Sequence, residues 1–453
     1  MLVDTETRKS HRRDAWVLSD LDELEANGQT VEAELPACVV RPASTEDVVA
    51  VINLCRSSGT PLVTAGLRSG VCGGLLASAG QVVLDMSAMS GVRSVNHNDL
   101  IGSFEAGLRG SEAEAKLNAD GLTLGHFPQS MALSSVGGWV ATRAAGQFST
   151  GYGNIEDLLL GLEAVLPDGS VLVCGDVPRA SAGPDLKQLM LGSEGTLGVI
   201  TRVNLALRRV AETRVGVAYY APDMRAGFEV QRELLQAGHC PVVLRQYDAR
   251  EVGRLFGKFR KQDECLLLVV HEGPKERVHA EQLAVRAIVE ARGGSVAPSE
   301  ATEHWLSERN RVPTFKSFLE NGVVVDTIEV AASYTQIGQL YDSAIAALGK
   351  LEGIWNGSAH SSHAYRTGIN LYFSFAIQPK DKGTMRDAYR ACWQAVMQAS
   401  LDAGGTISHH HGIGRVRREW LGQELGDTGL ELLRAIKRTL DPTGFMNPGV
   451  LLP

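Results

Sequence analysis

The chain has 453 residues, a formal net charge of −8 and seven cysteines, and 44% of its residues are hydrophobic. The length predicts two or three domains, and the acidic balance without a basic stripe argues against broad nucleic-acid binding. No apolar run reaches the roughly 18 residues that span a bilayer, and the charged N-terminus lacks the apolar centre of a signal peptide. The odd, scattered cysteines are typical of single thiols in a reducing compartment, so we expect a cytoplasmic protein without an integral membrane segment.

The first half of the chain begins with a predicted α/β unit. Residues 1–30 are charged and predict a helical N-terminal extension. A strand is predicted over 38–40, then a helix capped by Ser44 and a buried strand over 61–65. A glycine-rich loop and a strand over 81–86 complete a β-α-β-loop-β order, which is typical of an α/β unit.

Further along the chain, the pattern of predicted helices and strands changes. A helix is predicted over 111–119 and a β-hairpin over 158–174, with an Asp-Gly turn at 168–169. From about 214 to 403, strands alternate with long helices. This second stretch predicts a separate α+β domain.

Three consecutive histidines, His409, His410 and His411, lie in a segment over 408–414 that we predict to be a strand, followed by a helix over 420–440. A neutral imidazole exchanges a proton near neutral pH and can also bind a metal. Because side chains alternate along a strand, His409 and His411 would face one side and His410 the other. The run predicts a catalytic base, a metal site, or one histidine supported by its neighbours.

Three segments rich in glycine and hydroxyl side chains lie in the first half, at 66–74, 128–142 and 192–201. Glycine tolerates positive φ and lets several backbone N–H groups converge on an anion. The first segment is not a P-loop, because no Lys-Ser/Thr pair closes it, and it is not a Rossmann fingerprint, because loop and strand follow it. Together the three segments predict one long polar ligand held along a backbone-lined groove.

These three segments, in this order, resemble the FAD-binding domain of the vanillyl-alcohol oxidase flavoprotein superfamily, and the resemblance covers nearly the whole chain. The stretches 135–144 and 152–157 and the segment 408–414 are similar to alkyldihydroxyacetonephosphate synthase. The D-2-hydroxyacid dehydrogenase and glycolate oxidase group gives the second near pattern.

The resemblance implies an α+β fold, in which a PCMH-type FAD-binding domain is joined to an α+β cap domain and the C-terminal segment returns to the FAD domain. The implied divisions are an N-terminal extension over 1–35, the FAD domain over 36–211, the cap and substrate domain over 212–404, and a segment over 405–453 that completes the active site.

The same resemblance implies non-covalent FAD, since the two nearest groups do not generally attach the flavin through a histidine. It leaves His126 as a possible neighbour of the flavin, and Cys72 as a small residue suited to a crowded loop. The implied cofactor-binding residues are Thr64, Ala65, Gly66, Leu67, Arg68, Ser69, Gly70, Gln129, Ser130, Ser134, Ser135, Gly138, Thr142, Ala144, Ala145, Glu194, Gly195, Gly198, Val199 and Ile200.

Arg245 lies in an otherwise apolar strand predicted over 243–248. A buried arginine needs an anionic partner. It would either form a structural ion pair with Asp248 or a nearby glutamate, or hold a substrate carboxylate or phosphate through two hydrogen bonds. The resemblance implies substrate binding, because the synthase has a substrate-binding arginine in the matching segment.

Polar side chains crowd the segment 360–368, just before a predicted strand. Tyr365 matches the catalytic tyrosine of the synthase, whereas the dehydrogenases have metal-binding histidines in this region. His360 and His363 would each bind substrate or metal, or hydrogen-bond a loop carbonyl. Both interpretations remain open because the chain has the tyrosine and both histidines.

The dehydrogenase group typically has a glutamate-histidine pair where this chain has His410 and His411. The missing carboxylate favours proton transfer over metal binding, and we expect no bound metal. Asn447 matches a site-associated position of the synthase and is otherwise a turn residue beside Pro448.

Three functions follow as hypotheses. The first is an FAD-dependent oxidoreductase that oxidises a small 2-hydroxy acid or similar anionic alcohol by hydride transfer to the flavin, with Arg245 holding the anion and Tyr365 and a histidine of the triplet managing protons. The second is a transferase like alkyldihydroxyacetonephosphate synthase, which exchanges acyl and alkoxy groups through a flavin N5 adduct. The third is a non-catalytic flavin-binding protein. The composition is compatible with a homodimer.

Overall fold

The structure is a computed structural model that describes residues 1–26 and 32–452. Its α-helices are Thr5–Ser10 (α1), Val17–Glu25 (α2), Thr45–Ser58 (α3), Gly110–Ala119 (α4), Val136–Thr142 (α5), Ser149–Tyr152 (α6), Ile155–Leu158 (α7), Lys187–Met190 (α8), Met224–Gln236 (α9), Ala249–Leu255 (α10), Lys275–Ala291 (α11), Glu300–Glu308 (α12), Lys316–Glu320 (α13), Tyr334–Gly349 (α14), Met385–Asp402 (α15) and Leu421–Leu440 (α16).

The strands alternate with these helices along the chain. They are Cys38–Val40 (β1), Leu62–Ala65 (β2), Val82–Asp85 (β3), Val92–Asn96 (β4), Ile101–Glu105 (β5), Leu122–Thr123 (β6), Leu159–Val165 (β7), Val171–Cys174 (β8), Val199–Ala206 (β9), Arg208–Arg209 (β10), Thr213–Ala221 (β11), Val243–Tyr247 (β12), Cys265–Gly273 (β13), Ser295–Ala297 (β14), Val324–Ser333 (β15), Ile354–Ser361 (β16) and Gly368–Ile377 (β17).

The chain divides into two compact units, and the first is built from three separate pieces of sequence: Met1–Ala145, Asn154–Val210 and His410–Pro453. It contains a parallel sheet in the order β1-β3-β2 and a five-stranded antiparallel sheet in the order β4-β5-β9-β7-β8. The C-terminal segment contributes to the core of this unit, because Phe445 and Met446 are buried with strands β2 and β3.

Local sequence signals explain the elements of the first unit that were predicted. Ser44 caps helix α3 by accepting from the backbone N–H of Asp47, and Gly59 ends the helix in the left-handed region at φ 66°. Strands β7 and β8 form the expected hairpin, with Gly169 at φ 86° in its turn.

The second unit comprises Gly146–Gly153 and Ala211–His409. Its seven-stranded antiparallel sheet has the order β14-β11-β13-β12-β16-β17-β15. Strand β13 is buried along almost its whole length, from Cys265 to Glu272, which is the pattern of a strand covered on both faces. The predicted α+β character of this stretch is confirmed.

Several expectations for individual segments were wrong. The histidine segment 408–414 is not a strand: it is a run of bends in which Gly412 and Gly414 adopt φ of 82° and 55°. The second glycine segment, expected to be loop, contains helix α5. In contrast, the predicted C-terminal helix is present as α16, Leu421–Leu440, with an interruption at Gly426, whose φ of 68° and ψ of 168° are not helical.

The N-terminal extension is more than a charged helix. Residues 1–26 form α1 and α2, and residues 27–30 of the predicted extension lie outside the described residues. The buried His11 ring bonds Asp85 at the end of β3 at 3.0 Å, and Asp14 N donates to Leu75 O at 3.0 Å. The extension therefore packs on the loop that follows β2. Within the described residues, no helix is long and apolar enough to cross a membrane.

Candidate active site

Two buried hydroxyl groups lie at glycine segments: one in strand β2, just before the first segment, and one within the third. Among the described residues, Thr64 Oγ1 and Ser193 Oγ are buried without a hydrogen-bond partner. Gly66 approaches Ser135 so closely that an added Cβ would lie 2.5 Å from its hydroxyl oxygen. Unsatisfied hydroxyls beside a backbone too crowded for side chains are what a polar ligand held by hydrogen bonds requires.

Helix α5 lies in the second glycine segment, and the protein itself binds the N–H groups of its first turn. Ser135 is its N-cap and accepts from Gly138 N at 3.3 Å, while Val136 N donates to Leu108 O at 2.9 Å and Gly137 N donates to Ala106 O at 2.8 Å. The Ser134 hydroxyl likewise accepts from the Trp139 indole at 2.7 Å and donates to Ser130 O, so these hydrogen bonds serve the fold.

Other predicted cofactor residues also have structural contacts. Val199 and Ile200 begin strand β9 and are buried in two separate hydrophobic clusters of the first unit. Thr142 donates to Gly138 O at 3.0 Å inside helix α5. Arg68 has a positive φ of 61°, an unusual backbone for a residue with a side chain. The backbone of Val199 and Ile200 also pairs with strand β7, so the contacts of these two positions serve the fold.

The side chain of Glu194, predicted to bind the cofactor, is hydrogen-bonded within the protein. Its carboxylate accepts from Ile413 N at 2.7 Å and from Gly414 N at 2.9 Å. Burial raises the pKa of Glu194 to about 7, against the opposing effect of these two amides and of Arg417. The side chain therefore holds the turn that follows the histidines.

Asn447 lies in the first unit and joins two of its loops. Its Nδ2 donates to Glu194 O at 2.5 Å and to Gly74 O at 3.1 Å. Asn447 has a positive φ of 43°, and its Oδ1 is buried without a partner among the described residues. The amide of Asn447 thus fixes the first and third glycine segments to the C-terminal segment and leaves one acceptor unused.

His126 is fully buried, and neither of its ring nitrogens has a hydrogen-bond partner within the part of the chain that the structure describes. Its ring meets Trp139 edge-on, with centroids 4.8 Å apart. Burial lowers the pKa of His126 to about 3. His126 is therefore neutral in the folded protein, whereas a histidine in the unfolded chain binds a proton near pH 6.5. The free energy of unfolding should fall as the pH falls from about 6.5 towards about 3.

Replacing His126 by phenylalanine should remove this pH dependence. Between pH 7 and pH 5 the FAD-free wild type should lose about 2 kcal/mol more unfolding free energy than His126→Phe, because the unfolded histidine binds a proton that the folded one does not. Urea unfolding at both pH values measures the difference. Equal losses in the two proteins would show that His126 is protonated, or exposed, in the folded state.

In the second unit, Tyr365 and His409 form a hydrogen-bonded pair. The Tyr365 hydroxyl lies 2.6 Å from His409 Nε2. Burial lowers the pKa of His409 to about 4, and the nearby Glu329 opposes this shift. The imidazole is therefore neutral at pH 7 and able to exchange a proton with the phenol.

His363 is held by contacts of its own unit. Its Nε2 lies 2.9 Å from Gly146 O, and its Nδ1 lies 2.8 Å from Ser362 Oγ. Because a carbonyl can only accept, Nε2 carries the hydrogen and Nδ1 accepts from the serine. Burial lowers the pKa of His363 well below 6.5. Both nitrogens are engaged by the protein, which favours packing and orientation over direct substrate binding.

Gly146 belongs to a short excursion, Gly146–Gly153, that was predicted to lie within the FAD domain but is part of the second unit. Thr150 Oγ1 accepts from Ala364 N at 3.2 Å. Gln147 exchanges two hydrogen bonds of 2.7 Å with Arg309. The excursion therefore supports the backbone of the segment that carries His363 and Tyr365.

Arg245 is 8% exposed on strand β12 and has no acidic partner among the described residues. Its Nε donates to the Tyr247 hydroxyl at 3.0 Å, and its guanidinium carbon lies 5.1 Å from the centroid of the Trp305 ring. Aromatic faces attract a cation but do not neutralise it. A buried, uncompensated guanidinium is suited to an anionic ligand.

The acids that could have paired with Arg245 are committed elsewhere. Asp248 caps helix α10 through Glu251 N and also accepts from Ala359 N. Glu251 lies 2.7 Å from His360 Nδ1, and the charge of that histidine lowers the pKa of Glu251 to about 2 against the effect of burial. Among the described residues the structural ion pair considered for Arg245 is thus absent, because Glu251 pairs with Arg254 and is hydrogen-bonded to His360 instead.

The histidine run is divided between the two units, since His409 ends the second and His410 begins the C-terminal part of the first. His410 and His411 have their ring centroids 4.5 Å apart in an edge-on arrangement. Because the segment is not a strand, alternation does not determine which ring faces the site. The pair with Tyr365 singles out His409.

Comparison with known proteins decides the family. Residues 211–451 match the family described as FAD linked oxidases, C-terminal domain, and residues 36–175 match the FAD binding domain family. The chain belongs to the FAD-linked oxidase family. The protein "Uncharacterized FAD-linked oxidoreductase YgcU" of Escherichia coli (strain K12) is 32% identical over 437 residues, which cover 92% of this chain and 89% of that protein.

Two other relatives of this FAD-linked oxidase are named for an activity. Alkyldihydroxyacetonephosphate synthase of Caenorhabditis elegans is 28% identical over 448 residues, covering 91% of this chain and 75% of that protein. Glycolate oxidase subunit GlcD of Bacillus subtilis (strain 168) is 24% identical over 436 residues, covering 92% of this chain and 88% of that protein.

Solved structures agree on the fold. An alkyldihydroxyacetonephosphate synthase superposes with a TM-score of 0.78 at 25% identity, covering 98% of this chain and 81% of that one. P-cresol methylhydroxylase superposes with a TM-score of 0.76 at 16% identity, covering 99% and 93%. The predicted superfamily resemblance and the PCMH-type α+β fold class are confirmed.

FAD is the cofactor of this FAD-linked oxidase, as predicted. The residues of the first unit fit such a group, because the unused hydroxyls of Thr64 and Ser193 and the crowded backbone at Gly66 can accept a long polar ligand. Non-covalent attachment remains a prediction.

Some residues of the site were not found from the sequence. Glu329 had a signal, since an acid between the apolar Ile328 and Val330 in a strand is as unusual as Arg245 in β12. Trp305 had none, because an aromatic residue in an amphipathic helix normally indicates core packing.

Proposed function

We propose that this FAD-linked oxidase oxidises a small 2-hydroxy acid or similar anionic alcohol to the corresponding oxo compound. The observation that carries the proposal is the buried Arg245, which has no acidic partner among the described residues and lies in the same unit as the Tyr365–His409 pair. An anion-binding group and a neutral proton-transfer pair are what the oxidation of a hydroxy acid requires.

Arg245 would bind the substrate carboxylate. A planar guanidinium matches a carboxylate through two parallel hydrogen bonds. Burial lowers the pKa of the neighbouring His360 and His363, so both are neutral at pH 7 by this effect and Arg245 is the cation that a substrate meets. One cation between aromatic rings suits a monoanionic carboxylate better than a phosphate dianion, which would call for further positive groups.

Tyr365 and His409 would take the proton of the substrate hydroxyl. The phenol oxygen accepts that proton as its own hydrogen passes to His409 Nε2, 2.6 Å away. An anionic substrate beside the pair raises the proton affinity of His409 above that of the empty site. FAD, when bound, supplies the acceptor for the hydride that leaves the carbon, which completes the removal of two electrons and two protons.

A second candidate is a transferase of the alkyldihydroxyacetonephosphate synthase type. It is supported by the retention of Arg245, Tyr365, His409 and Asn447, and by the similarity to proteins named as that synthase. One set of contacts counts against it: the amide nitrogen of Asn447 already donates to Glu194 O and Gly74 O.

The test is a substrate panel offered to the FAD-loaded protein without oxygen. D-lactate, D-2-hydroxyglutarate and glycolate are mixed with it, and the visible flavin band is followed. We expect at least one hydroxy acid to bleach the band. Inertness to all hydroxy acids, combined with turnover of an acyl-dihydroxyacetone phosphate, would replace the first function by the second.

A further inference from the structure

Two buried glutamates lie at the two ends of the histidine segment. Glu329, fully buried on strand β15, accepts from the backbone N–H of His409 and from Ser408 Oγ, the latter at 3.1 Å. Glu194 accepts from Ile413 N and Gly414 N at 2.7 and 2.9 Å. Each carboxylate belongs to the same compact unit as the backbone it holds.

We propose that Glu329 and Glu194 are positioning residues for the histidines between them, with neither acting on substrate directly. This inference rests on the proposed function, in which the position of His409 matters because His409 exchanges a proton with Tyr365. Because the segment is a run of bends and not a strand, the two carboxylates bind the N–H groups of His409, Ile413 and Gly414 where a strand would use a ladder.

The two contacts differ in a way that mutation can expose. Glu194 holds two backbone N–H groups, and both can only donate. A glutamine at 194 would turn its NH₂ group toward one of these donors, leaving a buried N–H without an acceptor. Glu329 holds one N–H and one hydroxyl. A glutamine at 329 can accept from His409 N and donate to the serine, because a hydroxyl can reverse its role.

The expected order follows from this difference. Glu194→Gln should lower kcat by about 10²-fold, since a displacement of catalytic groups by about 1 Å has this size of effect. Glu329→Gln should keep the segment in place and stay within about tenfold of wild type, whereas Glu329→Ala, which removes both acceptors, should fall about 10²-fold. KM should change much less than kcat, because Arg245 is untouched.

A second variant keeps the test informative if Glu194→Gln folds poorly. Gly412 has φ of 82°, and an added Cβ would lie 3.0 Å from Glu194 Oε1. Gly412→Ala should therefore disturb the same contact with the carboxylate still present, and should lower kcat in the same direction. The control is Glu114→Gln in the first unit, a buried carboxylate that likewise accepts from a hydroxyl (Thr123) and a backbone N–H (Leu124), and also from the Asn118 amide.

The measurement is kcat and KM for each variant, together with ¹⁵N NMR of the histidine rings in the FAD-loaded protein. We expect Glu194→Gln and Glu329→Ala to shift the histidine resonances of the triplet and Glu114→Gln to leave them unchanged. Unchanged resonances in both Glu194→Gln and Glu329→Ala, or an effect of Glu114→Gln equal to theirs, would overturn the inference. If the wild type oxidises no hydroxy acid but the resonances shift as expected, the proposed function fails and the positioning role stands.

Discussion

Replacing Tyr365 by phenylalanine is expected to lower kcat for the hydroxy-acid substrate by about 10²–10⁴-fold, which is the usual contribution of a positioned proton-transfer group. The ring, and with it the packing against His409 at a centroid distance of 5.6 Å, is retained, and only the hydroxyl that bonds His409 Nε2 is lost. The amount of bound FAD should not change. Steady-state kinetics and the ratio of flavin to protein absorbance measure both quantities.

The control for this variant is Tyr220→Phe in the same unit, which removes a hydroxyl that donates to Phe259 O at 2.8 Å. It should keep full activity. A second check uses His409→Gln alone and combined with Tyr365→Phe: because the two residues act as one unit, the double variant should be little worse than either single one. Fully additive losses would mean that the pair does not share a proton.

Replacing Arg245 by methionine is expected to lower kcat/KM by about 10²–10³-fold, since the loss of one partner of a buried charge pair costs ~2–5 kcal/mol. Most of the loss should appear in KM, because the carboxylate it holds is present in both ground and transition states. Without substrate, the variant should be as stable as the wild type or more so, because a buried charge without an acidic partner has been removed.

The matched control is Arg250→Met, which removes a guanidinium of the same unit that donates to Gly357 O at 3.3 Å. It should leave kcat/KM unchanged. Thermal melts of both variants with and without substrate complete the comparison, and only Arg245→Met should lose the stabilisation by substrate. If Arg245→Met is as active as Arg250→Met, the anion is bound elsewhere.

Much of the fold could be predicted because its signals are local. Ser44 and Gly59 determine the ends of helix α3 within a few residues of sequence, and an Asp-Gly turn indicates the hairpin of β7 and β8. The three glycine segments indicated a long polar ligand from composition alone. The family resemblance then added the cofactor and the candidate residues.

What could not be predicted depends on contacts between distant parts of the chain. Glu194 and Ile413 are 219 residues apart, and Glu329 and His409 are 80 apart, so no local pattern shows that these carboxylates hold the histidine segment. The segment was expected to be a strand for the same reason. Its sequence gives no sign of the distant carboxylates that accept from its backbone in place of a neighbouring strand. The excursion Gly146–Gly153 was missed because its partners lie in the second half of the sequence.

Hydride transfer to the flavin is tested most directly by the rate at which a hydroxy acid bleaches the flavin of the loaded protein without oxygen. The ordinary substrate is compared with one that carries deuterium on the carbon that bears the hydroxyl. We expect rapid bleaching by the ordinary acid, slower bleaching by the deuterated acid, and very slow bleaching of the Tyr365→Phe protein by either. A yellow, fully loaded wild type that no hydroxy acid bleaches would contradict hydride transfer to the flavin.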